Sequence, residues 1–191
     1  EMKYYNPNQT RNKIVNAFID LLKNKRFGKI TVKEIIENAD INRSTFYAYY
    51  LDKYDLLEKV EADYFKGLGV LIDNVILSLT ESDVQEIVKV FSRKYAEYMY
   101  DHGEMFLCFT HDEDIGPSFN VRVNQSIQAL WSNDKGRQHL TIGYRYACAI
   151  LIGMAANLIF EWVRNDMKES PDEIADIFQK TVSIVMNNIL V

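Results

Sequence analysis

Few residues in this chain of 191 can interrupt a helix. Three prolines and eight glycines are present, and these two residue types are the strongest local signals for helix ends and turns. Almost half of the residues are apolar. Between the breaks, apolar side chains recur every three to four residues, which is the period of a helix with one buried face. The chain is therefore predicted to be all-α.

The predicted helices follow one another along the whole chain. In the first, over residues 6–25, apolar residues such as Ile14 and Phe18 fall on one face. Asp52 caps a later helix, whose inner face is predicted to begin at Leu57. Further helices are predicted over residues 83–102, 105–109, 118–132, 137–165 and 171–190, with Gly103 ending the first of these.

Residues 31–50 carry the signals of two short helices. Thr31 and Glu34 have the spacing of a capping box, in which each side chain binds the other residue's backbone N–H. Asp40 breaks the helical pattern, and Asn42 supplies a second N-cap. Two short capped helices joined by a tight turn predict a helix-turn-helix.

Charge is distributed unevenly along the chain. Residues 1–55 carry ten Lys and Arg against seven Asp and Glu, a balance of +3, and residues 56–191 carry twelve against twenty, a balance of −8. The total of −5 argues against a protein that coats nucleic acid non-specifically. A basic head on an acidic body is expected if only the head meets phosphate groups.

The second short helix has the properties of a DNA recognition helix. Such a helix needs an apolar underside and outward polar side chains that enter the major groove. Ile41, Phe46 and Tyr50 are predicted to form the underside. Arg43 is the long cation on the outward face. It can donate two hydrogen bonds to one guanine, a contact worth about 1–3 kcal/mol of base discrimination.

Residues 45–57, Thr-Phe-Tyr-Ala-Tyr-Tyr-Leu-Asp-Lys-Tyr-Asp-Leu-Leu, resemble the signature of the tetracycline-repressor (TetR) family of transcriptional regulators. The resemblance extends over roughly residues 8–60. In that family the positions of Thr31, Tyr47 and Lys53 contact phosphate groups, and the resemblance implies the same roles here.

Two positions depart from the family pattern. Asp40 stands in the turn where the family usually has glycine, and its short side chain tolerates the left-handed backbone conformation. Tyr49 replaces the usual histidine, which removes a possible cationic contact with DNA. The predicted DNA-binding residues are Thr31, Asn42, Arg43, Ser44, Thr45, Tyr47, Tyr49 and Lys53.

The resemblance also implies the organisation and partners of the protein. A three-helix DNA-binding head is expected over 6–52, and a larger helical body that binds an effector and dimerises over 53–191. The implied function is a cytoplasmic, sequence-specific repressor that binds double-stranded operator DNA as a homodimer and responds to a small-molecule effector. Similar bodies occur in activators, so both signs of regulation stay open. No cofactor, metal or membrane is expected.

The penultimate predicted helix carries small residues at helical spacing, Ala149, Gly153 and Ala156. Small residues permit close approach of two helices, either within one chain or across a dimer seam, and both alternatives stay open. The apolar run 146–160 is shorter than the roughly 18 residues that a membrane span needs. It is predicted to be a buried helix.

A second class of function is a small-molecule-binding helical protein or an enzyme that uses the head as a scaffold. An enzyme needs a convergent acid, base or nucleophile set, and none is readable, so a non-enzymatic function is predicted. The acidic run His111–Asp114 lacks the spacing of a calcium loop. It is predicted to be an acidic surface loop.

Overall fold

The computed structural model describes residues 9–77, 84–130 and 141–189. The described residues form helices joined by turns and contain no strand, which confirms the all-α fold class. The helices are α1 Gln9–Leu22, α2 Val32–Asn38, α3 Arg43–Tyr49, α4 Lys53–Leu77, α5 Val84–His111, α6 Gly116–Leu130, α7 Tyr144–Arg164 and α8 Pro171–Ile189. A short 3₁₀ helix, η1 Phe27–Lys29, lies between α1 and α2.

The chain forms two compact units. The first contains the described residues up to Lys66 together with Glu104–Asn120, and the second contains Gly67–Gly103 and the described residues from Val121 onwards. The first unit therefore contains the helix-turn-helix and a segment from much later in the sequence. The functional boundary between residues 52 and 53 stays a prediction.

The first unit is built on the apolar faces of α1 to α4. Ile14, Phe18, Ile35 and Phe46 are each fully buried, as the helical spacing predicts. In α4 the predicted inner residue Leu57 is only half-buried, and Leu56 is fully buried instead. The reason is the helical period, because position 56 lies on the same stripe as the buried residues that follow it at intervals of four.

Aromatic side chains extend this core into α5 and α6. The Tyr64 ring stacks on Phe106 with a centroid distance of 6.3 Å. Phe109 meets Phe119 edge to face at 5.3 Å. All four are buried, so the start of α6 and the end of α5 are part of the first unit's core.

Gly103 lies inside α5 and does not end it. The prediction of one helix that ends at 102 and a second over 105–109 was wrong, because α5 is continuous to His111. A Cβ at position 103 would lie 2.7 Å from Val163 Cγ2. The glycine therefore permits close packing against α7 and is not a C-cap.

The predicted helix over 137–165 begins later than expected. Residues 131–140 lie outside the described residues, and Thr141–Gly143 are not helical. α7 starts at Tyr144 with Gly143 as its N-cap, and the Gly143 carbonyl accepts the Tyr146 N–H at 2.8 Å. Glycine is among the residues that are accepted at the N-cap at little cost in helix stability.

The second unit packs α5 against α7 and α8. Its core contains Val88, Ala147, Phe178, Val182 and Met186. The α8 helix begins at Pro171, as predicted, and Ser170 and Glu173 form a capping box at its start.

The α7 helix is long and apolar enough to cross a membrane by length and composition alone, contrary to the expectation that its apolar run is too short. The core helix of a soluble protein passes the same test. Only 39% of its apolar window is buried within the chain. Much of this window is therefore exposed among the residues that the structure describes.

Candidate nucleic-acid interface

The capping box at the start of α2 is present as predicted. The Glu34 N–H donates to Thr31 Oγ1 at 3.3 Å, and the Thr31 N–H donates to Glu34 Oε2 at 2.9 Å. Lys25 also reaches Glu34, with its Nζ 2.5 Å from Oε1. The Lys25 ammonium and the Thr31 donors lower the pKa of Glu34 to about 2. The Thr31 hydroxyl donates to Glu34 Oε2 as well, so it is engaged within the box.

The turn between α2 and α3 contains the expected left-handed residue. Asp40 has φ of 50°, in the region where short Asx side chains replace glycine at the lowest cost. The Ile41 N–H donates to the Ile36 carbonyl at 3.3 Å. The structure therefore confirms that the turn survives without the family's glycine.

The start of α3 is organised by Asn42. Its Oδ1 accepts the Thr45 N–H at 2.8 Å, which confirms the predicted N-cap. The hydroxyls of Ser44 and Thr45 also donate to Asn42 Oδ1, each at 2.7 Å. Since these hydroxyl protons are donated to Asn42, the two oxygens can only accept a hydrogen bond from any further partner. In a major groove, exocyclic amino groups of adenine and cytosine are the matching donors.

The outward face of α3 pairs Arg43 with Tyr47. Arg43 Cζ lies 5.4 Å from the centroid of the Tyr47 ring. Tyr47 is 44% exposed, whereas its neighbour Phe46 is fully buried. The predicted underside residue Tyr50 is buried as well, and Ile41 is half-buried. The α3 helix therefore has the predicted apolar underside and a polar outer face.

Tyr49 is less exposed than Tyr47. It is half-buried, with its ring centroid 6.4 Å from that of Tyr50. Its carbonyl accepts a hydrogen bond from Lys59 Nζ at 3.1 Å. Lys59 thereby brings a cation to the end of α3, where it also pairs with Asp55 at 2.9 Å.

The ammonium of Lys53 is held inside the first unit. Its Nζ donates to the carbonyls of Phe27 at 2.9 Å, Gly28 at 3.2 Å and Ile30 at 2.9 Å. It also lies 4.6 Å from the centroid of the Phe27 ring. Three acceptors match the three donors of an ammonium group. Lys53 thus ties the first turn of α4 to η1, a contact that its sequence position does not reveal.

The acidic run before α6 also binds η1, through its backbone N–H groups. The Phe27 N–H donates to Asp112 Oδ2, and the Gly28 N–H donates to Asp114 Oδ2, both at 2.7 Å. Arg26 pairs with Glu113 at 2.6 Å. The prediction of an acidic surface loop therefore missed two structural carboxylates. No group of three metal-ligating side chains occurs among the described residues.

The fold agrees with comparisons to known proteins. The model of a family described as "Transcriptional regulator C-terminal region" matches residues 88–183. An uncharacterized HTH-type transcriptional regulator, YxbF of Bacillus subtilis, is 38% identical over 63 residues, which are 33% of this chain and 17% of that protein. Another curated relative is matched over 46% of its length.

Two solved structures share the fold. One is NalD, the secondary repressor of the MexAB-OprM multidrug efflux pump in Pseudomonas aeruginosa, with a TM-score of 0.64, 16% identity and coverage of 95% of this chain and 96% of that one. The other is the transcriptional regulator FadR of Bacillus subtilis in complex with stearoyl-CoA, with a TM-score of 0.61, 15% identity and coverage of 88% and 95%.

Proposed function

This chain belongs to the TetR family of transcriptional regulators, and on that premise we propose that it is a cytoplasmic homodimeric repressor that binds a pseudopalindromic operator and is released by a small-molecule effector. The observation that carries the proposal is α3, a capped helix with a buried underside and an outward face of Arg43 and Tyr47. The alternative of an enzyme with a scaffold head is set aside, because the family consists of transcriptional regulators.

The proposed DNA contacts divide by the chemistry of each side chain. Arg43 supplies the donors that suit guanine, and Ser44 and Thr45 supply acceptors that suit amino groups of neighbouring bases. Asn42 fixes the direction of the two hydroxyls. We propose that Tyr47, and with it Tyr49 at the end of α3, contacts the DNA backbone.

Thr31 and Lys53 are proposed to act on DNA binding indirectly. The hydroxyl of Thr31 is engaged by Glu34, and the ammonium of Lys53 is engaged by three carbonyls. Each of these groups would have to give up an internal partner to reach a phosphate. We therefore propose that they hold α2 and α4 in the position from which α3 and its flanking N–H groups meet DNA.

A homodimer is supported by apolar side chains of α7 and α8 that are exposed to solvent in the single chain. On α7, Tyr146 is 72% exposed and Ile150 is also exposed. On α8, Ile184 is 65% exposed. Nothing among the described residues lies within 4 Å of where a Cβ on Gly153 would stand, which favours the seam between chains over a crossing within one chain. Exposed apolar side chains on two long helices are expected to be covered by a partner.

The proposed effector is a molecule with a long apolar part. One structural neighbour is a regulator in complex with stearoyl-CoA, so an acyl-CoA is the first class of effector to test. Effector binding is proposed to shift the protein between a DNA-competent and an incompetent separation of the two heads. Addition of the effector should then release bound operator.

The experiment is selection of duplexes from a random pool by the unmodified protein, followed by affinity measurements on the enriched sequence at several salt concentrations. Enrichment of a two-fold symmetric sequence and a steep loss of affinity with salt are expected. Arg43→Ala should weaken binding by about 1–3 kcal/mol and relax one position per half-site. Lys89→Ala, which removes a surface cation of α5, is the matched control. A pool without enrichment would refute the proposal.

The dimer is tested separately by sedimentation velocity at micromolar concentration. The unmodified protein should sediment as a dimer, and Gly153→Trp should shift it to monomer and remove high-affinity operator binding. A monomeric unmodified protein would contradict the two-groove mechanism. A Gly153→Trp protein that stays dimeric would move the seam away from this part of α7.

A further inference from the structure

The side chain of Arg43 differs from those of the other two arginines in the first 66 residues. Arg11 forms an ion pair with Asp63, and Arg26 forms one with Glu113. Arg43 has no carboxylate partner among the residues that the structure describes. Its guanidinium lies instead against the ring of Tyr47, one helical turn further along α3.

The ring of Tyr47 rests on the buried ring of Phe46. It stands at 87° to the ring of Phe46, with a centroid distance of 5.5 Å, and Phe46 is fully buried. A tyrosine has two side-chain torsions, whereas arginine has a long flexible stem that loses rotamer freedom when it is ordered. The buried Phe46 therefore holds the surface on which the guanidinium rests.

We propose that Tyr47 is a positioning residue for base readout: its ring orients the Arg43 guanidinium for the guanine in each half-site. The inference rests on the proposed DNA-binding function and deepens it. It assigns to the ring of Tyr47 a role in specificity, in addition to the backbone contact proposed for its hydroxyl.

The geometry allows stacking and base recognition together. A guanidinium packs on an aromatic ring through its planar face, which leaves the N–H groups at its edge available to O6 and N7 of guanine. Part of the ordering cost of Arg43 is then already met in the free protein, so less affinity is lost when the bidentate contact forms. The advantage applies only to duplexes with guanine at this position. Duplexes with another base there lack the bidentate contact and gain nothing from the oriented guanidinium.

Two substitutions separate the ring of Tyr47 from its hydroxyl. Tyr47→Phe keeps the face that Arg43 rests on and removes the hydroxyl, whereas Tyr47→Leu removes both. Loss of a backbone contact weakens all sequences alike. Loss of the orienting ring lowers the ratio of affinities between the guanine duplex and the same duplex carrying adenine at the Arg43-dependent position.

The experiment measures this affinity ratio for the unmodified protein, Tyr47→Phe, Tyr47→Leu and Arg43→Ala on two duplexes that differ at that position. The position is the one at which Arg43→Ala relaxes the selected sequence. Tyr47→Phe should keep the ratio of the unmodified protein, and Tyr47→Leu should lower it about two- to five-fold, as expected for loss of an exposed cation–π contact. Tyr47→Trp, which offers a larger face, should keep or raise the ratio, and circular dichroism checks the fold of each variant.

Two results would overturn the inference while leaving the proposed function intact. One is an unchanged ratio in Tyr47→Leu with the fold preserved. The other is an equal fall of the ratio in Tyr47→Phe and Tyr47→Leu, which would assign the effect to the hydroxyl. Failure of the unmodified protein to enrich any duplex would instead refute the proposed function, and this inference with it.

Discussion

Replacing Lys53 with methionine should destabilise the head and leave the number of phosphate groups that the protein neutralises unchanged. Methionine keeps an unbranched apolar stem beside the Phe27 ring but removes the ammonium. The carbonyls of Phe27, Gly28 and Ile30 then lose the donor that binds all three.

The magnitude follows from how these carbonyls are placed. A hydrogen bond from a charged donor contributes about 1.5–3 kcal/mol net, and an exposed cation–π contact contributes about 0.5–1 kcal/mol. Gly28 is exposed, so its carbonyl can be hydrated in the variant. The Phe27 carbonyl keeps the Ile30 N–H as a donor at 3.1 Å. The uncompensated losses are therefore the hydrogen bond to the carbonyl of the buried residue Ile30 and the cation–π contact. We therefore expect Lys53→Met to lower the free energy of unfolding by about 2–4 kcal/mol.

Urea unfolding followed by circular dichroism measures the loss of stability, and amide hydrogen exchange at Ile30 reports whether it is centred on η1. Lys33→Met is the matched control, because Lys33 is a highly exposed lysine of the same head whose partner Glu37 is 3.7 Å away. Its effect should stay within about 0.5 kcal/mol.

The salt dependence of operator binding separates the two roles considered for Lys53. Removal of one phosphate-binding cation lowers the steepness of log K against log salt by about 0.9. If Lys53 acts through η1, Lys53→Met should retain the slope of the unmodified protein. An unfolding free energy close to that of the unmodified protein, together with a slope lowered by about one unit per head, would refute this reasoning and assign Lys53 a direct phosphate contact.

Two further predictions concern the pH dependence of the head and two helical glycines, Gly69 of α4 and Gly103 of α5. The pKa of Glu34 is lowered from 4.5 to about 2 in the folded chain. Its ionised form therefore stabilises the fold fully above pH 4.5, and this contribution is lost as the pH falls towards 2. Glu34→Gln should flatten that part of an acid unfolding curve, and an unaltered curve would contradict this prediction. Gly69 lies at an open helical position, so Gly69→Ala should stabilise the protein by up to about 1 kcal/mol. Gly103→Ala should instead destabilise the protein by about 1–2 kcal/mol, because the stiff Val163 side chain would lie 2.7 Å from the new Cβ. Urea unfolding measures both, and equal effects would refute the packing argument.

The features that the sequence predicted correctly are local ones. Thr31 and Glu34, three residues apart, form the capping box, and Asn42 caps the residue three positions later. Asp40 adopts the left-handed conformation that its position in the turn requires. Each of these depends on a few neighbouring residues, whose types and spacing define the interaction.

The features that were missed depend on partners distant in sequence. The carbonyls that bind Lys53 belong to a turn more than twenty residues earlier. From its sequence position Gly103 is expected to end a helix, and only its close approach to Val163 shows that it serves helix packing. Local composition holds no signal for such contacts, because the same lysine or glycine in another tertiary setting would be solvated or would cap a helix.

The acidic run before α6 restricts how this head could be exchanged with that of a relative. Asp112 and Asp114 bind backbone N–H groups of a turn 85 and 86 residues earlier, so a chimera joined after residue 52 or 66 would receive the turn without its carboxylates. Two N–H donors would then depend on whatever side chains the recipient places at these positions. Portability of operator specificity in this protein should therefore require a graft of two separate segments, with residues 112–114 transferred alongside the helix-turn-helix.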